Sequence, residues 1–107
     1  MSNEVESSES LQDHRLYNNA AMFKALGDER RLKIMHQIAK KPGICSCKVL
    51  EAHNMSQSTL SHHMKLLCEA GLVKCQKNGK WVHYTLNSEG IKRATEALRD
   101  LLKAAQL

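Results

Sequence analysis

The stretch Ser56-Gln57-Ser58-Thr59-Leu60-Ser61-His62-His63-Met64-Lys65-Leu66-Leu67-Cys68-Glu69-Ala70-Gly71 limits what this chain can fold into more than any other. At about 100° per residue, Leu60, Met64 and Leu67 share one narrow helical stripe, and Ser58, Thr59, Ser61, His62 and Lys65 fall on the opposite side. One face suits a core; the other is short, polar and free of acid until Glu69. The Ser56 hydroxyl can accept from an unpaired N–H of the first turn, and Gly71 is a natural stop. Just upstream, residues 47 to 53 read as a second short helix, and Asn54-Met55 leaves only a tight connection. Two helices joined in this way make a helix-turn-helix, whose second member enters the DNA major groove. An ordinary amphipathic helix in a small bundle would account for the apolar stripe but not for hydroxyls, histidine and lysine on the outer face.

The flanking segments extend this unit. Between residues 11 and 26, Leu16, Ala20 and Phe23 recur at helical spacing with Tyr17, Ala21 and Lys24 beside them, which predicts a helix with a broad apolar side. Gly27 ends it and Asp28 caps a second helix over 29–40. There Leu32, Met35, Ile38 and Ala39 are expected inside, and Arg30, Arg31 and Lys33 toward water or phosphate. Lys40-Lys41-Pro42-Gly43 breaks the chain again. After Gly71 the period changes to that of strands, 72–77 and 80–86, with Asn78-Gly79 between them as the strongest short hairpin signal. Lys77 and Lys80 at its tip make a basic finger suited to phosphates or a minor groove. Asn87-Ser88 then caps a last helix. Its stripe of Ile91, Ala94, Leu98, Leu101, Leu102 and Ala105 has little left in a small domain to cover it, so it is expected to pair with a second subunit, together with the helix over 11–26. The predicted fold is mainly α with a small β-hairpin: four helices, two strands and a final helix, a homodimeric winged helix-turn-helix.

A length of 107 residues with 42% hydrophobic side chains fits one domain. It is placed at residues 11–107 with dimerisation helices at both ends, behind a disordered acidic arm over 1–10. The net charge is +5, and because Glu4, Glu6 and Glu9 lie in an arm without bases, the body is more basic still, as suits a polyanionic partner. No apolar run approaches the roughly 20 residues of a membrane span, and the acidic, polar start is no signal peptide. A cytoplasmic protein with no membrane partner is expected. Its four cysteines would begin there as thiols, which disfavours structural disulfides and favours metal or redox chemistry.

Cys45-Ser46-Cys47 is the chemically richest segment. On a regular helix, residues two apart point about 200° away from each other, so Cys45 and Cys47 can share an ion only where the segment is extended or irregular, at the helix start that Pro42-Gly43 sets. Helix N–H groups and Lys48 would there favour thiolates, the form that coordinates soft metals. Two small buried hydrophobes are the alternative. Cys68 lies on the flank of the recognition helix and Cys75 on a strand; either can add a ligand, and neither spacing demands it. No Cys-x-x-Cys in a βαβ context suggests a thiol enzyme, so catalysis is not expected.

Ala25-Leu26-Gly27-Asp28-Glu29-Arg30-Arg31-Leu32-Lys33-Ile34-Met35, the recognition stretch, Glu69-Ala70-Gly71-Leu72-Val73 and Gly79-Lys80-Trp81-Val82-His83-Tyr84 together resemble the ArsR/SmtB family of metal-responsive repressors over about residues 14–100. The resemblance implies a homodimer that sits on operator DNA and leaves when an inducer binds. On that reading Ser56, Gln57, Ser58, Thr59, Ser61, His62 and Lys65 contact DNA, with Lys77 and Lys80 adding phosphate affinity. Cys45 and Cys47 fall where arsenic-, cadmium- and lead-sensing members keep a Cys-x-Cys motif, which makes As(III), Sb(III) or another thiophilic ion the implied inducer. A dithiol redox or persulfide switch, or sensing of Cd(II), Pb(II) or Zn(II), is the alternative. Leu50 stands where arsenic sensors have a third cysteine, the arm lacks the cysteines of cadmium sensors, and residues 87–107 lack the histidines of zinc sensors and the second cysteine of persulfide sensors.

Overall fold

Eight elements follow one another in the computed structural model, which describes the backbone of residues 3–107 and the side chains of residues 11–107. They are helix α1 (Asn3–Leu26), helix α2 (Glu29–Lys40), strand β1 (Ile44–Cys45), helix α3 (Ser46–His53), helix α4 (Gln57–Glu69), strands β2 (Val73–Asn78) and β3 (Trp81–Leu86), and helix α5 (Ser88–Ala104). This is the expected winged helix-turn-helix with one added strand. Backbone residues 3–10, expected as a disordered arm, continue α1, and no Gly or Pro in the sequence interrupts them. Met1, Ser2 and the side chains of residues 3–10 lie outside the described residues.

Local chemistry sets the ends of the reading helices. Asp28 accepts from the Arg31 N–H at 3.1 Å, and Ser56 Oγ accepts from the Thr59 N–H at 3.1 Å, so both predicted caps form. Between α3 and α4 the chain turns through Asn54, which takes the left-handed conformation (φ 47°) that Asn tolerates. Asn87 stands at the N-cap of α5 but its side chain caps nothing; its buried Oδ1 has no partner, while its N–H donates to the Leu72 carbonyl at 2.9 Å.

The core gathers Met22 and Ala25 of α1, Ile34, Met35 and Ile38 of α2, Val49 of α3, Leu60, Met64 and Leu67 of α4, then Leu72, Val73, Tyr84 and Ala94. Completely burying a side chain such as Leu67 contributes about 2 kcal/mol. The inner stripe of α2 is rotated from the expected one: Ile34 is buried, whereas Leu32 is 44% exposed and Ala39 lies at the surface. Ile34, Met35 and Ile38 form a tighter i, i+1, i+4 cluster, and that cluster wins the contact. Arg31 also turns inward, donating through Nε to the Ala25 carbonyl at 2.6 Å.

The sheet runs β1-β3-β2, antiparallel throughout, with Ile44 opposite Tyr84 and Cys75 also opposite Tyr84 on the other side. The hairpin closes one residue later than Asn78-Gly79 suggests. Asn78 pairs with Trp81, and Gly79 (φ 66°) and Lys80 form the turn, with glycine at the first central position that needs positive φ.

Close backbone approach at the base of the wing makes a sharp stability prediction. A Cβ built on Gly90 of α5 would lie 1.8 Å from the Gly71 carbonyl oxygen, and Gly71 itself is held at φ 76°. Neither backbone can yield without moving α5 off the α4–β2 turn. Gly90→Ala is therefore expected to destabilise the fold by about 3 kcal/mol, read as a lower Tm and denaturant midpoint; an unchanged midpoint would mean that α5 is not seated there.

On the outer side, Leu11, Leu16 and Tyr17 of α1 and Leu98 (56%), Leu101 (66%) and Leu102 of α5 are exposed in the single chain, along two helices that pack on each other. Among the described residues no helix is long and apolar enough to cross a membrane.

Candidate functional site

Along α4 the buried stripe Leu60, Met64 and Leu67 turns Ser58, Ser61, His62 and Lys65 outward, all exposed, beside exposed Ser56 and Gln57 at the helix start. Thr59 is half-buried. Its hydroxyl accepts from Ser56 Oγ at 2.8 Å, and Ser56 Oγ also lies 3.2 Å from Ser58 Oγ. The Ser56 hydroxyl is thus largely spent on ordering the helix start, and Gln57, Ser58, Ser61, His62 and Lys65 are exposed on the outer face of α4. No acid interrupts that face, so it meets a polyanion without repulsion.

Its neighbour in sequence, His63, is buried at 7% exposure, and Arg31 donates to its Nδ1 at 3.2 Å. That bond requires a lone pair on Nδ1, hence a neutral ring. Burial, the largest cause, pushes the His63 pKa below 6.5; the Asp28 carboxylate pulls against it, and the lesser positive charges of Arg31, His62 and Arg30 add to the lowering. His53 is likewise lowered, by burial and by Lys33, and donates to Gln37 Oε1 at 2.7 Å. Both groups are lowered in the fold, so the unfolded chain binds more protons as pH falls below about 6.5. Stability is therefore full above that value and declines as pH falls through the folded pKa values. Tm should drop on going from neutral to about pH 5, and His63→Gln should flatten the drop; a pH-independent Tm in the wild type would contradict this.

The wing carries Lys77 and Lys80 on exposed positions, as expected for a basic tip. Sequence reasoning passed over Trp81, which is half-exposed with Lys80 Nζ 5.3 Å from its ring centroid. The adjacency of a lysine and a tryptophan at a turn was the available signal.

Cys45 and Cys47 meet. Cys45 closes β1 in extended conformation (ψ 142°) and is the N-cap of α3, and Cys47 sits in the first turn. This strand-to-helix change turns the two sulfurs to the same side, 2.8 Å apart, with the Cys47 N–H donating to Cys45 Sγ at 3.4 Å. The Cys47 thiol, then the Cys47, Ser46 and Lys48 donors, lower the Cys45 pKa; the same sharing and the Cys45 charge raise that of Cys47. Cys45 therefore gives up its proton more readily than a free thiol and Cys47 less readily, and a soft ion would displace the protons that remain on the pair. Leu50 stays against the core. Among the described residues no group of three or more His, Cys, Asp or Glu side chains is arranged to hold an ion.

The position of the pair ties it to both DNA-facing elements. Cys45 is opposite His83 in the β1–β3 pairing, the Gly43 N–H donates to the Tyr84 carbonyl at 2.8 Å, and His83 Nδ1 donates to the Gly43 carbonyl at 3.0 Å. Cys47 opens α3, which leads through Asn54 into α4. β1 is too short to give a period-two pattern, so this link to the wing was not legible in the sequence.

Cys68 and Cys75 depart from expectation. Rather than standing apart as thiols, they are joined in a disulfide between the last turn of α4 and β2, across a sequence separation of 7. The tight turn at Ala70-Gly71 folds the strand back beside the helix it has just left.

A recognition helix behind a short first helix, followed by a basic hairpin, defines a DNA-binding winged helix-turn-helix protein. The family model described as bacterial regulatory protein, arsR family, matches residues 28–74. The chain is 36% identical over 86 residues to an uncharacterized HTH-type transcriptional regulator of Methanocaldococcus jannaschii, covering 79% of this chain and 97% of that protein. The chain belongs to the arsR family of bacterial transcriptional regulators and is not an enzyme. At 39% identity it is similar to the arsenical resistance operon repressor of Bacillus subtilis and to a cadmium resistance transcriptional regulatory protein CadC homolog of Staphylococcus aureus. Those matches cover 64% and 72% of this chain, and 66% and 64% of the two relatives. Among solved structures, the homodimeric winged helix-turn-helix DNA-binding domain of a possible ArsR-family regulator from Mycobacterium bovis aligns with a TM-score of 0.67 at 25% identity, covering 82% of this chain and 81% of that one.

Proposed function

We propose that the protein is a homodimeric, cytoplasmic transcriptional repressor that occupies a two-fold symmetric operator and is released when As(III), Sb(III) or a similar thiophilic ion binds Cys45 and Cys47. The observation that carries this reading is the 2.8 Å approach of the two sulfurs at the start of α3, where the same few residues pair with β3 of the wing. A thiophilic ion bridging both sulfurs replaces their shared contact with two metal–sulfur bonds, and because Cys45 pairs with β3 and Cys47 opens α3, any shift of this segment reaches α4 and the wing together. Two protein thiolates hold the ion, and a third ligand comes from solvent, a small cellular thiol or a second subunit. The names of the arsenical and cadmium resistance relatives support a metal or metalloid inducer.

The exposed apolar stripe of α1 and α5 supports the dimer, as does the homodimeric Mycobacterium bovis domain. Two-fold symmetry would place the recognition helices on one side of the duplex, on half-sites about one helical turn apart. Gln57 can pair bidentately with adenine, and Ser58, Ser61, His62 and Lys65 take further base edges or phosphates, with the bonded Ser56 and Thr59 hydroxyls ordering the helix start beside them. Gel shift on the promoter region of the protein's own gene, with and without As(III), tests the reading; absence of binding would sink it.

Lys77 and Lys80 should act on phosphates alone. Lys77→Ala with Lys80→Ala is expected to weaken binding to all DNA sequences and to flatten the salt dependence by up to about four counterions per dimer. An unchanged slope would take the wing off the DNA.

A further inference from the structure

The thiophilic pair leaves two sulfurs unused, and the fold brings them together at the joint between the two elements that face DNA. Cys68 is in the last turn of α4, four helical residues after Met64 and on the flank of the reading face. Cys75 is on β2, the outer strand of the sheet, two residues before Lys77. The connection between them is already fixed: the Gly71 N–H donates to the Cys68 carbonyl at 3.0 Å, the Leu72 N–H donates to the Leu67 carbonyl at 3.0 Å, and Leu72 and Val73 are buried. Beyond Val73 the strand is exposed, and its backbone pairs with β3 alone. A bond from Cys75 to Cys68 is thus a second anchor for the wing, placed where the first one ends.

We propose that Cys68 and Cys75 are a reversible thiol-modification site, at which the disulfide of a small cellular thiol drives formation of a Cys68–Cys75 bond that locks the wing to the recognition helix and tightens DNA binding independently of Cys45 and Cys47. Cys75 is exposed and Cys68 half-buried, so Cys75 attacks first. It gives its proton to solvent, and its thiolate forms a bond to one sulfur of the small disulfide, whose S–S bond breaks to release one thiolate. Cys68, deprotonated in turn, attacks the Cys75 sulfur of that mixed disulfide and expels the second thiolate. The protein dithiol loses two electrons and two protons; the small disulfide is reduced to two thiols. The α4–β2 turn has its own backbone hydrogen bonds, so oxidation should remove freedom from the wing rather than redirect it. A wing fixed beforehand gives up less entropy when its lysines engage phosphates.

The test uses the full chain, reduced and then equilibrated with glutathione disulfide, and rests on the operator-binding reading only for its second readout. Non-reducing peptide mapping should find the Cys68 and Cys75 peptides joined with the loss of two hydrogens, and dithiothreitol should separate them. Operator affinity, read by fluorescence anisotropy, should rise at least about fivefold on oxidation. The exposed substitution Cys75→Ser should bind as the reduced wild type does and lose that response. Glutathione adducts on Cys68 or Cys75 without the joined peptide would overturn the proposal, as would a joined peptide with unchanged affinity. Mass judges the bridge whether or not the reduced chain binds operator, so failure here is distinguishable from failure of the DNA reading.

Discussion

Cys45→Ser and Cys47→Ser are each expected to hold the operator as tightly as the wild-type chain and to stay on it at As(III) concentrations that release the wild type. Serine nearly preserves the shape and can keep the hydrogen bonds around the α3 start, so the reading surface of α4 is left intact. It does not supply a soft thiolate. With two protein sulfurs in the site and no third ligating group beside them among the described residues, loss of either leaves one thiolate, no better than any small thiol in solution. The size of the switch follows from the strand-to-helix geometry. Bridging Cys45 and Cys47 perturbs the β1–β3 pairing and the first turn of α3, and a penalty of about 2 to 3 kcal/mol on the DNA-bound form weakens affinity by about 30- to 150-fold. Gel-shift titrations of the two variants measure this directly. Normal release from both would reduce the pair to packing.

The second large effect concerns assembly. Leu98→Asp combined with Leu101→Asp is expected to yield folded monomers that no longer hold the operator. Both leucines are more than half exposed in the single chain, so the protomer core does not need them. Across a two-fold interface each substitution counts twice, and burying those carboxylates in an apolar seam costs about 5 kcal/mol per dimer, raising the dimer dissociation constant more than about a thousandfold. Sedimentation should report the monomer mass while circular dichroism stays helical. A variant that remains dimeric would move the interface away from α5.

The helical skeleton and the hairpin were legible because their signals are local. Asp28 and Ser56 cap where a short polar side chain precedes a periodic run, and Leu60, Met64 and Leu67 go inside because their spacing leaves no other common face. What stayed hidden depends on contacts between segments. Ile34 rather than Leu32 faces the core because the helices around α2 decide its rotation. Arg31 turns inward because the Ala25 carbonyl and His63 are waiting for it. Cys45 and Cys47 were marked as a pair by spacing alone, with convergence made conditional on an extended start, and β1 supplies that start. The link from Cys45 to the wing needed a two-residue strand that no pattern announces. Cys68 and Cys75 were read as separate thiols, since nothing in a seven-residue spacing says that the strand doubles back along the helix.

Fluorescence anisotropy of a labelled operator fragment, titrated with As(III) in the presence of the reduced protein, measures the coupling of thiol pair to DNA in one curve. The account predicts a fall to the value of free DNA, complete at one As(III) per Cys45–Cys47 pair, and recovery when a competing small dithiol strips the metalloid. An operator complex that survives saturating As(III) while both cysteines are demonstrably occupied would contradict it.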